Sequence, residues 1–476
     1  MTDGGPETSP GSRRAPLGSL VVVLCAVNVI VALDFLGASV LLAPIGHDLH
    51  LSTADLAWVV NGYLLTLAAP LIAAGRAADT YGPIRLTRLG LVGFAAGALM
   101  TGAANSAEVL VAGRMVQGLG ASVLAATGLT LVNAAAPVGD RGRVVGIWAG
   151  VGAVGSAAGP LVAGLIEAAS VWRVFFLIDV PVALIVAWLL RREHDAPRPA
   201  RREAVGLRPA SWLTVGLGLL VFAVLAGPET GWGSGWVFGP ALGGVALLVA
   251  FGIDQRHRDD PLIPVRLLRG PGYGAVAVTA WMGNAAFAVV AFFASLYLQQ
   301  VQGLDPVVAG AVFLAMTIPL MVCSPIAGAW TRRFAGSRLM AVGLVIVGVS
   351  VAMFARLGTD DGVLVLVVAL VVAGIGQALV FNVSNVAAMA GASGAAGGVA
   401  SGVINEIRQL GALVGLAVIS GLFAALQARA SGTAAEAFVS ALRFPSLVLA
   451  AGCVVAAVYV GVRGAPGLVD ARDRDK

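Results

Sequence analysis

The chain has 476 residues, a mean hydropathy of +0.92, 58% hydrophobic residues and only 12% charged ones, which excludes a water-soluble fold. Its net charge of +5 comes from arginine, and the single lysine is Lys476. A P-loop ATPase needs a lysine inside the fold, so that class is excluded, and the basic balance reads as membrane topology rather than nucleic-acid binding.

Residues 1–16 are rich in Gly, Pro, Ser and Thr and are expected to form a disordered cytoplasmic tail. Apolar runs of near-spanning length then recur from Leu17 to Arg463. A bilayer core of about 30 Å takes roughly 20 residues in helical form, and in lipid the backbone must satisfy its own hydrogen bonds. The expected fold is therefore an all-α polytopic membrane protein. About fourteen spans are predicted, starting near Leu17, Ala54, Arg85, Ala107, Arg143, Trp172, Ala210, Trp236, Tyr273, Val307, Arg338, Val363, Val399 and Phe444.

Every second gap between spans is basic as far as the tenth span, and the gap after the twelfth, near Gly391 to Gly398, is uncharged. Arg13 and Arg14 precede the first span; Arg76, Arg85 and Arg88 flank the second gap; Arg141 and Arg143 follow the fourth span. The run from Arg191 to Arg208 follows the sixth span, Arg256 to Arg269 the eighth, and Arg332, Arg333 and Arg338 the tenth. By the positive-inside rule both termini are cytoplasmic. The segment Gly75–Leu86 recurs weakly as Gly328–Leu339, with glycine, aromatic, arginine and leucine in register. Two six-helix halves, 17–191 and 273–463, would place these repeats in equivalent positions, a construction common among secondary transporters. Two extra helices in 210–254 would lie between the halves. A cytoplasmic linker is expected at 192–209, a cytoplasmic loop at 255–272 and a cytoplasmic tail at 464–476.

Ionisable groups inside the membrane cost at least ~2.5–3.5 kcal/mol on insertion scales and usually have a function. Asp34 lies roughly 20 Å along the first span, and Arg114 roughly 10–12 Å into the fourth from the other side. Both sit at similar depth, so a facing pair is possible. Burial disfavours the carboxylate and a nearby guanidinium favours it, so Asp34 could gain and lose a proton between two conformations; a structural ion pair is the alternative. Glu406 and Arg408 are two apart on one helix and do not face each other. Glu406 could be a second proton or cation site, or be held by an arginine from another helix; Arg408 could snorkel to the cytoplasmic surface. Asp179 lies near the outer start of the sixth span, close in sequence to Arg173, where a helix N-terminus favours a carboxylate. Gly155, Gly159, Pro160 and Gly164 mark the fifth span as closely packed and kinked. Trp58 and Tyr63 suit an outer aromatic belt. Trp281, Asn284 and Phe287, with Phe292, Phe293 and Tyr297, could line an apolar substrate cavity or face lipid.

In order along the chain these motifs resemble the major facilitator superfamily, and within it the fourteen-helix drug:proton antiporters. Gly75-x-x-x-Asp79-x-x-Gly82-x-x-Arg85 is similar to the superfamily's gating loop motif. Arg114-x-x-Gln117-Gly118 is similar to the helix 4 motif, whose arginine is associated with proton coupling, and Gly155-x-x-x-Gly159-Pro160-x-x-x-Gly164 to the antiporter motif of helix 5. Leu33-Asp34 with Pro44, Trp172-Arg173-x-x-Phe176, Ala400-Ser401-Gly402 and Arg408-Gln409-Leu410-Gly411 also fit that group. Phe35, Leu36 and Gly37 stand where its helix 1 signature has Thr and Asn, and Asp179 stands where asparagine is usual.

The resemblance implies a non-enzymatic, proton-coupled exporter of amphipathic or lipophilic small molecules, such as drugs or antibiotics, working by alternating access. It would sit as a monomer in a bacterial plasma membrane, with the proton gradient in place of any cofactor. Proton coupling would rest on Asp34, Arg114 and Glu406. The substrate cavity would take in Gln117, Asp179, Trp281, Asn284 and Phe287. An exporter of a lipid or an endogenous secondary metabolite, a passive uptake facilitator and a membrane-embedded enzyme are the alternatives.

Overall fold

A computed structural model of the chain describes residues 17–135, 141–169, 171–193, 207–258, 261, 272–331, 333–360, 362–390 and 396–463. The predicted tails, and most of the predicted linker and loop on either side of 210–254, lie outside them. All regular structure among the described residues is helical. The first group of helices is α1 (Leu17–Val40), α2 (Leu42–Leu49), α3 (Thr53–Ala68), α4 (Leu71–Tyr81), α5 (Pro83–Gly102), α6 (Ala107–Ala135), α7 (Arg141–Ala169) and α8 (Trp172–Leu189). Next come α9 (Leu207–Thr230) and α10 (Gly235–His257). The last group is α11 (Tyr273–Leu296), α12 (Pro306–Trp330), α13 (Gly336–Phe354), α14 (Gly362–Ala390), α15 (Ala396–Gln427) and α16 (Ala434–Arg463).

Thirteen of these helices are long and apolar enough to cross a membrane. The remaining predicted span is divided into α3 and α4 at Pro70, which has no N–H to continue the ladder. Ala69 and Pro70 keep right-handed helical dihedrals, so the span is kinked at this point. Its entry is set by a capping box: Ser52 Oγ accepts from the Asp55 N–H at 3.2 Å, and Asp55 Oδ2 accepts from the Ser52 N–H at 3.0 Å. The turn from α4 to α5 passes through Gly82 at φ +96°, a conformation that needs glycine. Pro83 then opens α5 at a position where its missing N–H costs nothing.

In the first group α1 lies along α7, α5 packs against α6 and α8, and α3 packs against α6. In the last group α11 lies along α15, and α13 packs on α14 and α16. The groups meet along two seams, α7 against α12 and α3 against α15. The α9–α10 pair joins the second seam through α9, which touches both α3 and α15. Phe292, Phe293, Phe423 and Phe438 form an aromatic cluster with neighbouring centroids 4.8–5.0 Å apart. Tyr297 is buried and donates to the Gly358 carbonyl at 2.7 Å. These side chains therefore belong to the core, and neither line a cavity nor face lipid. Large flat rings fill the space where α11, α15 and α16 converge.

The contacts that tie the two groups gather at the ends away from the basic loops. Gln299 Nε2 donates to the Val40 carbonyl at 2.7 Å, and Thr53 Oγ1 to Gln427 Oε1 at 3.4 Å. Gly164 lies against the Pro306 carbonyl, and Gly310 against the Pro160 carbonyl. On the basic side, by contrast, Gly75 has open space where a Cβ would stand.

At that same closed end, α2 occupies part of the expected loop. Asp48 on α2 accepts from Trp172 Nε1 at 3.0 Å and from Arg173, and Arg173 also donates to the Ala104 carbonyl at 3.0 Å. Arg173 is thus committed to Asp48, and its proximity in sequence to Asp179 has no structural counterpart. The hydrogen bonds from Arg173 and Trp172 hold the Asp48 carboxyl below its ordinary range. The stabilisation from a depressed carboxyl is present above its unfolded pKa of about 3.9 and is lost as pH falls through the lower folded value. Asp48→Asn should lower the unfolding midpoint slightly at pH 7, in keeping with the ~0.2–1 kcal/mol of exposed pairs. The difference from wild type should shrink as pH falls below about 3.9; a difference that stays constant through the acid range would mean the ion pair is not its source.

Candidate functional site

Asp34 and Arg114 meet in the first group of helices, as their depths allow. Arg114 Nη1 donates to Asp34 Oδ2 at 2.9 Å and Oδ1 at 3.1 Å. Both side chains are shut off from solvent, 0% and 2% exposed. Gln117 stands one turn further along α6, on the same face as Arg114. Its Oε1 accepts from Arg114 Nη1 at 2.7 Å, and its Nε2 donates to Asp34 Oδ1 at 3.1 Å and to Asp179 Oδ2 at 3.5 Å. Gln117 therefore links two carboxyls from α1 and α8. Two carboxyls and one guanidinium are electrically neutral when the cluster carries one proton, and away from water any imbalance is felt strongly.

Glycines set this geometry. Gly97 on α5 lies directly on the Gln117 backbone, and Gly118 on α6 directly on the Tyr63 carbonyl. Side chains at either position would push α5 or α3 away from α6. Tyr63, expected in an outer belt, is instead fully buried with its ring 4.3 Å from the Arg114 guanidinium carbon. Phe176 on α8 lies 5.5 Å from the same carbon. Such stacking compensates a buried cation. Tyr63 Oη and Arg114 Nε have no hydrogen-bond partner among the described residues, so the site retains unused polar capacity. Tyr63 and Phe176 are site residues that sequence reasoning misses, because an aromatic near the outer end of a span carries no signal separable from a belt. Trp58 likewise turns inward, half-buried with its ring 6.4 Å from that of Phe222 on α9.

The second set of membrane-embedded charges lies on α15. Arg408 is buried, not snorkelling. Its Nη2 donates to Asn385 Oδ1 at 3.0 Å and Ser384 Oγ at 3.2 Å, and its guanidinium carbon sits 4.3 Å from the Phe381 ring centroid. Glu406 is 1% exposed, and neither carboxyl oxygen has a hydrogen-bond partner. No arginine holds it among the described residues. Asn284 donates to the Arg408 carbonyl at 3.0 Å, and the Trp281 carbonyl lies against Gly411, so both belong to the α11–α15 packing. Trp281 and Phe287 are half-buried. The structure thus brings Gln117 and Asp179 to Asp34, and leaves Trp281, Asn284 and Phe287 on the other helical group.

The remaining motif residues divide between the two ends. Gly155 packs on Val29, and Gly159 on the backbone of Leu33 and Gly37, which presses α7 onto α1. Pro160 and Gly164 form the seam with α12. Gly75, Gly82 and the exposed Arg85 stand at the basic end of α4 and α5. The Asp79 side chain lies outside what is described.

An all-helical bundle in two groups, with a charge cluster buried within its spans, defines a multi-pass membrane transporter. The family model described as Major Facilitator Superfamily matches residues 24–416. The chain belongs to the Major Facilitator Superfamily. It is 30% identical to the tetracenomycin C resistance and export protein of Streptomyces glaucescens, over 87% of this chain and 77% of that one. It is 32% identical to the cephamycin export protein of Amycolatopsis lactamdurans, over 87% of each. It is also 29% identical to a methylenomycin A resistance protein of Streptomyces coelicolor, over 87% of this chain and 88% of that one. Among solved structures it is similar in fold to a peptide transporter POT bound to sulfate (TM-score 0.69, 16% identity, 96% of this chain and 97% of that one). It also resembles the xylose transporter XylE from E. coli in an inward open conformation (TM-score 0.63, 14% identity, 94% and 95% covered).

Proposed function

We propose that the protein is a proton-coupled exporter of amphipathic or lipophilic small molecules across a bacterial plasma membrane, working as a monomer by alternating access. The observation that carries this reading is the buried Asp34–Arg114–Gln117–Asp179 cluster, in which Gln117 bridges the Asp34–Arg114 ion pair to a second carboxyl. A proton arriving at Asp34 releases Arg114 from its ion pair and leaves Asp179, across Gln117, as the remaining anion. Loss of that proton restores the pair. With the arginine-rich loops in the cytoplasm, the seams at the opposite end make the present conformation the one closed to the outside. Gly75, Asp79, Gly82 and Arg85 then serve the cytoplasmic gate in the other conformation. Glu406, buried without a partner, is a second proton site. The names of the relatives, which speak of antibiotic resistance and export, support outward transport. They also favour an antibiotic as the cargo over a lipid.

The test uses purified protein in proteoliposomes with an imposed pH gradient, a pH-sensitive dye and a fluorescent lipophilic cation as cargo. Substrate movement against its gradient, with counter-movement of protons, is expected. Glu406→Gln should lower the protons exchanged per substrate by one. Substrate flux without proton flux would overturn the coupling, and an unchanged ratio in the variant would remove Glu406 from it.

A further inference from the structure

The groove between the basic-side ends of α5 and α8 holds about 580 Å³ and has two chemically distinct walls. Arg85 and Arg88 on α5 and Arg191 just beyond α8 line its mouth, with Glu193 beside them. Leu89, Val92 and Trp188 line its deeper part. On α5 the residues 85, 88, 89 and 92 form one stripe, since neighbours three and four apart share a face. Moving from Arg85 to Val92 is a climb of about 10 Å toward the bilayer interior. The stripe changes from charged to apolar along that climb. α8 runs the opposite way and shows the same gradation reversed, with Trp188 deeper and Arg191 nearer the surface. The Arg191 guanidinium carbon lies 4.6 Å from the Trp188 ring centroid, which orients the charge over the apolar floor. Leu89, Val92 and Trp188 are each about half exposed (59%, 51% and 49%), so the floor is open to what surrounds the helices.

We infer that this groove binds an anionic phospholipid of the leaflet on the side of the basic loops, with its phosphate among Arg85, Arg88 and Arg191 and an acyl chain along Leu89 and Val92. Among the described residues that line it, three guanidiniums against one carboxylate give the mouth a net charge of about +2, complementary to a phosphodiester. A free phosphate would satisfy the mouth and leave the apolar floor uncovered. A zwitterionic lipid would cover the floor and bring its own ammonium group against the arginines. Basic pockets between membrane helices on this side are suited to such headgroups. Arg85 also belongs to the gating motif, so occupancy would couple lipid composition to the movement of α5.

The experiment measures lipid retention on the full-length protein in detergent by native mass spectrometry. Phosphatidylglycerol is compared with phosphatidylcholine of the same chains, and with glycerol 3-phosphate as a headgroup source lacking chains. Phosphatidylglycerol should be retained over phosphatidylcholine, and glycerol 3-phosphate should not displace it. At roughly fivefold per arginine, the double variant Arg88→Gln/Arg191→Gln should weaken retention of phosphatidylglycerol by about 25-fold and leave phosphatidylcholine unchanged. Lysine at both positions should restore most of it. Glu193→Gln, which leaves all three arginines in place, should strengthen it about fivefold. Equal retention of the two lipids by wild type, or displacement by glycerol 3-phosphate alone, would overturn the inference. So would a double variant that folds normally and keeps its preference. If the double variant does not fold, the wild-type lipid comparison and Glu193→Gln still decide.

Discussion

Asp34→Asn is expected to lower proton-driven accumulation of substrate by roughly fiftyfold while leaving exchange of labelled for unlabelled substrate in place. The amide keeps the size of the carboxyl and an oxygen able to accept from Arg114 and Gln117, which reach Asp34 at 2.9–3.1 Å. It removes the charge and the proton-binding site. The wild-type cluster is neutral with one proton bound; the variant is neutral with none, because Asp179 alone balances Arg114. The cluster then has no reason to take up or release a proton during the cycle. One elementary charge moved through 100 mV supplies ~2.3 kcal/mol, enough to hold a substrate gradient of roughly fiftyfold. In vesicles with an imposed proton gradient the variant should lose that whole factor and hold only the gradient that the proton at Glu406 can drive. Exchange needs only the conformational change and a binding site, so it separates a lost coupling group from a misfolded protein. Undiminished accumulation would remove Asp34 from the mechanism. Loss of exchange together with accumulation would instead make the ion pair structural, in line with the ~3–5 kcal/mol cost of stranding one member of a buried pair.

The pairing of Asp34 with Arg114 was legible because it depends only on helix rise and on the direction in which two spans run. Both follow from hydropathy and arginine placement. The kink at Pro70 was legible in principle for the same local reason, a missing N–H. What the residues could not show is which face of each helix meets which neighbour. Arg173 and Asp179 are six residues apart on one helix and so point to different sides; one ends on Asp48 and the other on Gln117. Tyr63 reads as an interface aromatic from its place near the outer end of a span, until α6 is packed on α3 by Gly118 and the ring comes to lie on Arg114. Arg408 reads as snorkelling only while α15 is treated as peripheral. Because α15 is packed against α3, α9, α11 and α14, its guanidinium has no route to the surface and takes Ser384, Asn385 and the Phe381 ring instead.

Gly164→Ala is expected to shift the protein away from the conformation seen here. A Cβ at this position would stand 2.8 Å from the Pro306 carbonyl carbon and closer still to its oxygen, against an ordinary carbon contact of about 3.5–4.0 Å. Backbone cannot step aside as a flexible side chain can, so α7 and α12 must separate. Gly310 meets Pro160 in the reciprocal way, and the two contacts form one seam. Overpacking of this kind costs about 1–3 kcal/mol. The seam closes one end of the molecule, so the cost falls on that state alone and moves the equilibrium between the two states by roughly 5–150-fold. Gly150→Ala is the matched control: it lies on the same helix with open space where its Cβ would go, and should leave the equilibrium unchanged. Spin labels at Asn105→Cys and Ser431→Cys, both exposed at the closed end on opposite helical groups, report the separation once the three native cysteines are replaced. Wild type and Gly150→Ala should give one short distance, and Gly164→Ala should add a longer one and slow transport. Identical distance distributions in all three would mean that the α7–α12 seam is a fixed hinge, and that opening of this end takes place elsewhere.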